Sequence, residues 1–388
     1  MRERSTSGLR AAPGRALLGR MALCGLLAAA PGGAGCGDAG SGGGGGLRDV
    51  AAGSGLSIGT AAHDEYLTPS SGDARYGEVL AREFDSITPY TAMKWGRIHP
   101  EPDRWGFSGA DAIVDFAQAH GMRVRGHTLV WGGASDPPNP AYLAQMDADT
   151  LRAATADHIR AVMGRYRGRV TRWDVVNEPL TAFGEDGGTG GLRDSVFLQK
   201  LGPGYVADAF RVAHEADPDA KLFLNEFLEL KPGVKQDRYF QLARDLLDAG
   251  VPLNGVGLQG HMWFLPYAPP GDADVATRDE VEATLRRFAT LGIDVEITEL
   301  NVHTWRFDGD RAARLERQRA VYSDVSEACA AVPACTGLTV WLFTDRYPTS
   351  IEQFVRRKGE PLLFDEEYQP KPAYFAVADA LRSRRDAR

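Results

Sequence analysis

Short apolar runs alternate with longer amphipathic stretches along most of the chain. Eight runs have the length and composition of buried strands: residues 56–62, 86–89, 124–131, 173–178, 221–227, 256–261, 295–300 and 338–343. Each is followed by a stretch with apolar residues at helical spacing, namely 76–84, 110–120, 151–166, 196–216, 239–249, 281–291, 312–330 and 373–381. The runs are apolar throughout, as parallel strands covered by helices are. Eight such units predict an α/β fold, a single (β/α)8 TIM barrel.

A doubly wound open sheet is the alternative arrangement of strand–helix units. That fold usually binds a nucleotide at a Gly-rich turn after its first strand, and no such fingerprint follows residues 56–62. The barrel prediction also indicates where to look for chemistry, because catalytic groups of barrels lie at the C-terminal ends of strands. Polar residues end many of the runs: His127 with Trp131, Asn177 with Glu178, Asn225 with Glu226, Gln259 with His261, Glu299 with Asn301, and Trp341 with Asp345.

Composition narrows the class of function. The chain has 388 residues, with 44 Lys and Arg against 52 Asp and Glu, a net charge of -8 and 43% hydrophobic residues. The acidic balance argues against binding to nucleic acid. A chain of this length often holds two domains, but α/β barrels exceed the usual domain size, so we expect one catalytic barrel over residues 48–385. We expect a monomer.

The first residues have the pattern of an export signal. An Arg-rich segment precedes the apolar residues 21–30, a run too short to span a bilayer, which predicts a signal peptide over residues 1–30. A disordered leader or a misassigned start codon is the alternative. Residues 31–47 are Gly-rich and predict a flexible tether. Cys36 follows Ala34-Gly35 as in a bacterial lipoprotein signal, although Gly33 stands where such signals usually have Leu. We expect export, either secreted or as a surface or periplasmic lipoprotein.

Cys329 and Cys335 are the only cysteines of the predicted barrel. Metal sites made of thiolates generally use four ligands, so an isolated pair in an exported chain is most simply a local disulfide. Two buried free thiols are the alternative. The sequence has no His-Glu-x-x-His segment and no other cluster with metal-ligand spacing, so we expect neither a metal ion nor a cofactor.

Two glutamates end strands that face each other across an eight-stranded barrel. Glu178 ends the fourth run, in Trp-Asp-Val-Val-Asn-Glu-Pro, and Glu299 ends the seventh, in Ile-Thr-Glu-Leu-Asn. Hydrolysis of a glycosidic bond needs one carboxylic acid for the leaving oxygen and a second carboxylate for the anomeric carbon. The alternative is that each is a structural carboxylate in a salt bridge. The opposed pair favours a glycosidase.

The motifs around these residues resemble glycoside hydrolase family 10, the retaining endo-β-1,4-xylanases. The resemblance covers about residues 48–385 and rests on an ordered set of segments: Phe84-Asp-Ser-Ile-Thr-Pro, Met93-Lys-Trp, Phe107-Ser-Gly-Ala-Asp, Val124-Arg-Gly-His-Thr-Leu-Val-Trp, Trp173-Asp-Val-Val-Asn-Glu-Pro, Gly257-Leu-Gln-Gly-His, Ile297-Thr-Glu-Leu, Thr339-Val-Trp, Pro361-Leu-Leu-Phe-Asp and Tyr368-Gln-Pro-Lys-Pro-Ala-Tyr. It implies a xylan substrate and a disulfide between Cys329 and Cys335.

The resemblance also implies a role for each site residue. Glu178 matches the general acid/base and Glu299 the nucleophile, with carboxyl groups about 5.5 Å apart and a covalent intermediate. Asn177 matches the residue that binds the 2-hydroxyl of the cleaved sugar, and Lys94 and His127 match residues that bind its 3-hydroxyl. The remaining matches are Gln259 and His261 as partners of the carboxylates, and Trp131 and Trp341 as aromatic walls.

The chain departs from the family pattern in two short segments and at two single residues. Tyr90-Thr91-Ala92 replaces Glu-Asn and the residue after them, Gly132-Gly133-Ala134 replaces His-Ser-Gln, and Thr349 replaces a Trp. The lost groups serve mainly the next sugar on the non-reducing side, so we expect an altered outer subsite there, with Tyr90 as a candidate new stacking surface. Asn301 replaces the Asp that in the family contacts the histidine at position 261. We expect this change to affect the protonation of His261 and the pKa of Glu299.

Two other functions compete with xylan hydrolysis. The first is another retaining specificity, such as a decorated-xylan enzyme or a β-1,4-glucanase. A glucanase requires room for a hydroxymethyl group beside Gln259 and Trp341. The second is a surface protein that binds glycans without cleaving them. Retention of the opposed carboxylates with Asn177 argues against a pure binder, because binding alone has no need of them.

Overall fold

The computed structural model of the protein describes residues 45–68, 72–133, 139–181, 191–227, 230–262 and 275–388. The predicted signal peptide, Cys36 and Ala134 lie outside these residues. Leu47, which the sequence prediction assigned to the tether, is fully buried, and its backbone N–H donates to Glu83 Oε2 at 3.0 Å. The folded domain therefore includes Leu47, the first residue of a short helix.

The strands are β1 (Ser57–Ala62), β2 (Ser86–Pro89), β3 (Arg123–Trp131), β4 (Arg172–Asn177), β5 (Lys221–Glu226), β6 (Gly255–Leu258), β7 (His261–Met262), β8 (Asp294–Val302) and β9 (Cys335–Val340). All except the two-residue β7 form a parallel ring in which β6 pairs with β8 and β9 pairs with β1. The β7 strand pairs with the end of β8 and lengthens the ring there. The predicted (β/α)8 barrel is confirmed.

Long helices follow the ring strands and cover them. The helices are α1 (Leu47–Ala51), α2 (Ala74–Glu83), α3 (Trp95–Ile98), α4 (Ser108–Ala119), α5 (Tyr142–Gln145), α6 (Ala148–Tyr166), α7 (Val196–Leu201), α8 (Tyr205–Ala216), α9 (Val234–Asp248), α10 (Arg278–Ala289), α11 (Arg311–Ala331), α12 (Ser350–Val355) and α13 (Pro372–Asp386). Each long helix buries one apolar stripe, as α4 does with Ala110, Ile113, Val114 and Ala117. The inner surface of the helices and the outer surface of the ring form the core.

Three predicted elements end earlier than their apolar pattern does. The stretch 196–216 is two helices, because Gly202 adopts a φ of 72° and Pro203 follows it. The strand predicted over 256–261 stops at Leu258, and Gly260 turns the chain with a φ of 76°. The last strand stops at Val340, before Leu342 with a φ of 73°. The first break lies between two helices, and the other two lie at the C-terminal ends of ring strands.

The predicted disulfide is present. Cys329 lies near the end of α11 and Cys335 begins β9; their Cα atoms are 5.4 Å apart and their sulfurs are bonded. The bond fixes the short connection between the two elements. In the described part of the chain, no helix combines the length and hydrophobicity that crossing a bilayer requires.

Charged side chains fill part of the barrel interior. Arg125 on β3 is 2% exposed; its Nε donates to Asp174 Oδ2 at 3.0 Å and its Nη1 donates to Glu296 Oε2 at 2.8 Å. Burial alone raises the pKa of Asp174, but the charge of Arg125 and a hydrogen bond from His127 outweigh it and leave that pKa below its usual value. Arg172 Nε donates to the other oxygen of Glu296 at 3.0 Å. The network neutralises two buried carboxylates.

We predict that Arg125→Met destabilises the protein by about 3–5 kcal/mol, because Asp174 and Glu296 lose the buried guanidinium that contacts both of them. Arg123→Met is the matched control, since Arg123 lies on the same strand, is 44% exposed and pairs with Asp85 at 3.0 Å. Loss of that surface pair should cost about 1 kcal/mol or less. Urea unfolding of both variants measures the difference, and equal losses would contradict a special role for the buried network.

Candidate active site

The two glutamates lie at the same rim of the barrel. Glu178 directly follows β4, and Glu299 lies near the end of β8, on the far side of the ring. The side chain of Glu299 is 5% exposed and that of Glu178 is 16% exposed. Both carboxyl groups are therefore largely shielded from water. They lie at the rim formed by the C-terminal ends of the strands, where the polar residues are.

A chain of side-chain amides joins the two carboxyl groups. Gln259 Nε2 donates to Glu178 Oε1 at 3.3 Å and to Asn177 Oδ1 at 3.2 Å. Asn225 Nδ2 donates to the same Asn177 oxygen at 2.9 Å and to Glu299 Oε1 at 2.8 Å. Thr298 in turn donates to Asn225 Oδ1 at 2.7 Å. Because each amide is held at two points, the network fixes the positions of both carboxylates.

His261 links Glu299 to Asn301. Its Nε2 is 3.1 Å from Glu299 Oε2, and its Nδ1 is 3.1 Å from Asn301 Oδ1. Burial by itself raises the pKa of Glu299, but the hydrogen bond from His261 and the nearby imidazoles of His261 and His127 outweigh it, so this pKa lies below its usual value of 4.5. Asn301 therefore contacts His261, as is expected of an Asp at this position. It places a neutral amide beside the imidazole instead of a negatively charged carboxylate.

Glu178 is held in an unusual backbone conformation. Its φ is 51°, in the left-handed region, and its N–H donates to the carbonyl oxygen of Asn225 at 2.8 Å. Trp131 Nε1 donates to Glu178 Oε2 at 2.9 Å. The sequence predicted Trp131 only as an aromatic wall, and this indole hydrogen bond gives it a direct contact with the carboxyl group as well.

Lys94, His127 and Trp341 complete the set predicted from the sequence. The Lys94 ammonium lies 4.7 Å from the centre of the Trp131 ring. His127 Nδ1 is 2.9 Å from Asp174 Oδ2, and its ring meets the Trp341 ring edge-on at 5.3 Å. The peptide bond after His127 is cis. All nine predicted active-site residues therefore lie in one connected group.

Several residues of the group were given no role by the sequence prediction. Asn225 and Asp174 belong to the polar strand ends and to a family motif, so their positions were visible but their partners were not. Arg125 lies inside an apolar run, and Arg193 lies fifteen residues after Glu178 in a connection without periodicity. Arg193 Nε donates to the Glu178 carbonyl oxygen at 3.1 Å, and its Nη2 is 3.4 Å from Glu178 Oε2.

Two polar residues at strand ends have structural partners of their own. Glu226 accepts from Leu180 N at 2.9 Å and pairs with Lys235 Nζ at 2.9 Å. Asp345 pairs with Lys371 Nζ at 2.6 Å; burial raises the pKa of Asp345 to about 6, although the charge of Lys371 lowers it in part. We conclude that both support the connections around the site.

The departures at Tyr90 and Thr349 are explained by α12. Tyr90 Oη lies 2.5 Å from Ser350 Oγ and accepts from Ser350 N at 2.9 Å. Thr349 is the N-cap of the helix: its hydroxyl accepts from Glu352 N at 3.3 Å, and Glu352 accepts from Thr349 N at 2.9 Å. Both hydroxyl groups are therefore used to anchor α12 beside the site.

Tyr90 offers little surface for stacking. Its ring is 5% exposed and packs against His63 at 4.6 Å and Trp341 at 5.4 Å between ring centres. The suggestion that it provides an open platform for a sugar is therefore not supported. Gly132 and Gly133 lie in a crowded turn, where an added Cβ would come within 2.8 Å of Ser195 and within 2.5 Å of the Trp131 indole nitrogen.

No group of three or more His, Cys, Asp or Glu with the arrangement of a metal site occurs among the residues that the structure describes. The carboxylates of the site instead meet amides, imidazoles, an indole and a guanidinium. The arrangement favours the ionised form of Glu299 and holds a second carboxyl group, that of Glu178, at the same rim of the barrel.

Comparison with known proteins places this geometry in a family. Residues 46–380 match the family described as glycosyl hydrolase family 10. A β-1,4-xylanase of Dictyoglomus thermophilum is 37% identical over 311 residues, which cover 78% of this chain and 83% of that protein. An endo-1,4-β-xylanase B of Thermotoga neapolitana is 34% identical over 340 residues, covering 87% and 92%.

Solved structures give the same result. The crystal structure of native xylanase 10B from Thermotoga maritima is similar with a TM-score of 0.79 and 34% identity, over 88% of this chain and all of that one. Xylanase 10B from Thermotoga petrophila RKU-1, in complex with xylobiose, has a TM-score of 0.78 and 34% identity, over 89% and 100%. With the barrel and the carboxylate pair at its rim, these matches show that the chain belongs to glycosyl hydrolase family 10.

Proposed function

We propose that the protein is an endo-1,4-β-xylanase that hydrolyses internal linkages of xylan with retention of configuration. The observation that carries the proposal is the pair Glu178 and Glu299, held at one rim by a shared amide network. The relatives named as β-1,4-xylanases, and the similar structure that contains xylobiose, support xylan as the substrate. Membership of the family supports the retaining mechanism.

In the first step Glu299 acts as the nucleophile. Its carboxylate forms a bond to the anomeric carbon while the bond from that carbon to the glycosidic oxygen breaks, and Glu178 transfers its proton to the leaving oxygen. The lowered pKa of Glu299 keeps it ionised for this attack. The result is a glycosyl ester on Glu299 and a released chain with a new hydroxyl group.

In the second step Glu178 acts as the base. Its carboxylate takes a proton from water as the water oxygen bonds to the anomeric carbon, and the ester bond to Glu299 breaks. Two inversions at one carbon give net retention. Asn177, whose Oδ1 accepts from Gln259 and Asn225, keeps its Nδ2–H group to donate to the sugar 2-hydroxyl. That bond strengthens in the transition state.

The other residues hold the cleaved sugar. Lys94 and His127 are placed to bind its 3-hydroxyl, with His127 oriented by Asp174. Trp131 and Trp341 form its walls, while Gln259 and His261 hold the carboxylates. These roles follow from the match of each position to the family pattern, and the contacts among the residues support them.

We propose further that the outer subsite on the non-reducing side is weak. Tyr90 and Thr349 stand where the family has a polar and an aromatic residue, and both use their hydroxyl groups to anchor α12. Neither leaves a donor or an open ring for a second sugar. Each missing neutral hydrogen bond removes about 0.5–1.5 kcal/mol of binding.

We propose that the protein is exported and acts as a monomer. The Arg-rich leader with its short apolar run supports a signal peptide, and the disulfide supports an oxidising compartment. Ala34-Gly35-Cys36 supports a lipid anchor on Cys36. The intact mass of the exported protein distinguishes a lipidated Cys36 from a free mature N-terminus.

We predict that the full chain releases reducing sugars from xylan and that Glu299→Ala abolishes this activity without unfolding the protein. The assay compares xylan, arabinoxylan, glucuronoxylan and β-glucan, with circular dichroism to verify the fold. A variant that kept a few per cent of activity would exclude Glu299 as the nucleophile. A folded wild type that bound xylan but cleaved none of the polymers would favour the glycan-binding function, and preference for β-glucan would favour a glucanase.

We predict that the acid limb of the kcat/KM profile on 4-nitrophenyl β-xylobioside lies below pH 4.5, because the pKa of Glu299 is lowered from that value. Activity is thus present above this limb and is lost as pH falls through it. His261→Gln removes the hydrogen bond that lowers the pKa of Glu299, so the limb should move to higher pH. His214→Gln is the control, because His214 is exposed on a helix. An unchanged acid limb in His261→Gln would show that His261 does not lower the pKa of Glu299.

We predict a small gain in kcat/KM, about tenfold or less, from 4-nitrophenyl β-xyloside to 4-nitrophenyl β-xylobioside, because these substrates differ only in the sugar that the outer subsite binds. Thr91→Asn, at a partly exposed position beside Tyr90, adds an amide and should enlarge the gain. A wild-type gain of about a hundredfold or more would show that the subsite is intact.

A further inference from the structure

Arg193 contacts Glu178 at two points. Its Nε donates to the Glu178 main-chain oxygen at 3.1 Å, and its Nη2 lies 3.4 Å from Glu178 Oε2. The Arg193 side chain is 13% exposed, and its guanidinium lies 5.6 Å from the centre of the Phe227 ring. One guanidinium thus touches both the backbone and the carboxyl group of the same residue.

The backbone of Glu178 needs such support. Its φ of 51° is uncommon for a residue with a side chain, and such a conformation persists only where the surroundings determine it. Arg193 N donates to the Pro179 oxygen at 2.7 Å, and Leu180 N donates to Glu226 Oε2 at 2.9 Å. Arg193 therefore holds two consecutive carbonyl groups, one with its side chain and one with its own N–H.

The contacts also distinguish the two carboxyl oxygens of Glu178. Oε2 accepts from Trp131 Nε1 at 2.9 Å and faces Arg193, both of which only donate hydrogen bonds. Oε1 has the longer contact of 3.3 Å from Gln259. Oε2 thus faces two donors, whereas Oε1 faces one at the longer distance, so the transferable proton belongs on Oε1.

We propose that Arg193 is a positioning residue of the acid/base, which holds Glu178 in its left-handed conformation and assigns the transferable proton to Oε1. This inference rests on the proposed role of Glu178. It implies that loss of Arg193 impairs proton transfer in both steps and leaves attack by Glu299 intact. A residue needed only for folding or substrate binding would affect all substrates equally.

The test compares substrates that differ in their need for an acid. We predict that Arg193→Met lowers kcat/KM on xylan by about tenfold to a hundredfold, because small misplacements of a catalytic group cost up to that much. On 2,4-dinitrophenyl β-xylobioside, whose leaving group departs without a proton, kcat/KM should fall less than about twofold. The ratio of the two values is taken on one preparation, so it does not depend on the folded fraction.

Azide provides a second readout. Because the second step also needs Glu178, azide should raise kcat of Arg193→Met on the dinitrophenyl substrate and yield xylobiosyl azide. Arg193→Lys, which keeps the charge but has no planar fork to reach both oxygens, should give an intermediate ratio. Arg211→Met removes an exposed arginine of α8 and should leave the ratio unchanged.

Glu178→Ala in the same assay separates this inference from the function it rests on. If Glu178→Ala does not show the dependence on leaving group and azide, the role of Glu178 is wrong. If Glu178→Ala shows it and Arg193→Met loses activity on both substrates equally, or on neither, the inference about Arg193 is wrong. A selective loss on xylan with azide rescue supports it.

Discussion

Two largely buried carboxyl groups lie at one rim of the barrel, and the repulsion between their negative charges is the constraint on which the site depends. At the separation of about 5.5 Å expected for a retaining enzyme, two unit charges repel by about 3 kcal/mol at an effective dielectric constant of about 20. Asp174 adds a third carboxylate nearby and opposes the ionisation of Glu299. A stable site therefore needs either compensating charge or a proton on one of the groups.

The surrounding residues provide compensating charge. Arg125 and Arg172 neutralise Asp174 and Glu296 inside the barrel, which leaves His127 oriented and Glu299 the main anion at the rim. His261 donates to Glu299, and the pKa of Glu299 falls in spite of burial. Glu178 meets donors mainly through Oε2. The two carboxyl groups therefore have different partners: Glu299 meets His261 and Asn225, and Glu178 meets Trp131, Arg193 and Gln259.

Much of this arrangement was predictable from the sequence. The eight apolar runs predicted the parallel barrel, and the rule that barrel strands carry their functional groups at their C-terminal ends brought Glu178 and Glu299 together before any distance was known. The break between α7 and α8 was also visible, since Gly202-Pro203 ends a helix whatever the apolar spacing. The apolar spacing alone predicted one continuous helix over residues 196–216, because the helices on both sides of the break pack on the same core.

Other features depend on contacts that no local pattern encodes. Asn225 is one of many polar residues at strand ends, and only the closed ring shows that it bridges Asn177 and Glu299. Arg193 lies in a connection, where position depends on backbone pairing with residues 178–181. The sequence showed Thr349 and Tyr90 only as lost contacts to a sugar. Their role in anchoring α12 was not predictable, because the sequence prediction did not contain that helix.

Cleavage of a β-1,4 linkage by two opposed carboxylates, through a covalent intermediate, has a stereochemical signature. Proton NMR of the first products from a β-xylo-oligosaccharide reads this signature, because the anomeric signals report the configuration before mutarotation mixes them. The double displacement predicts that the β-anomer of the new reducing end appears first and the α-anomer only later. Initial formation of the α-anomer would contradict it, because a single displacement by water would then replace the double displacement through Glu299.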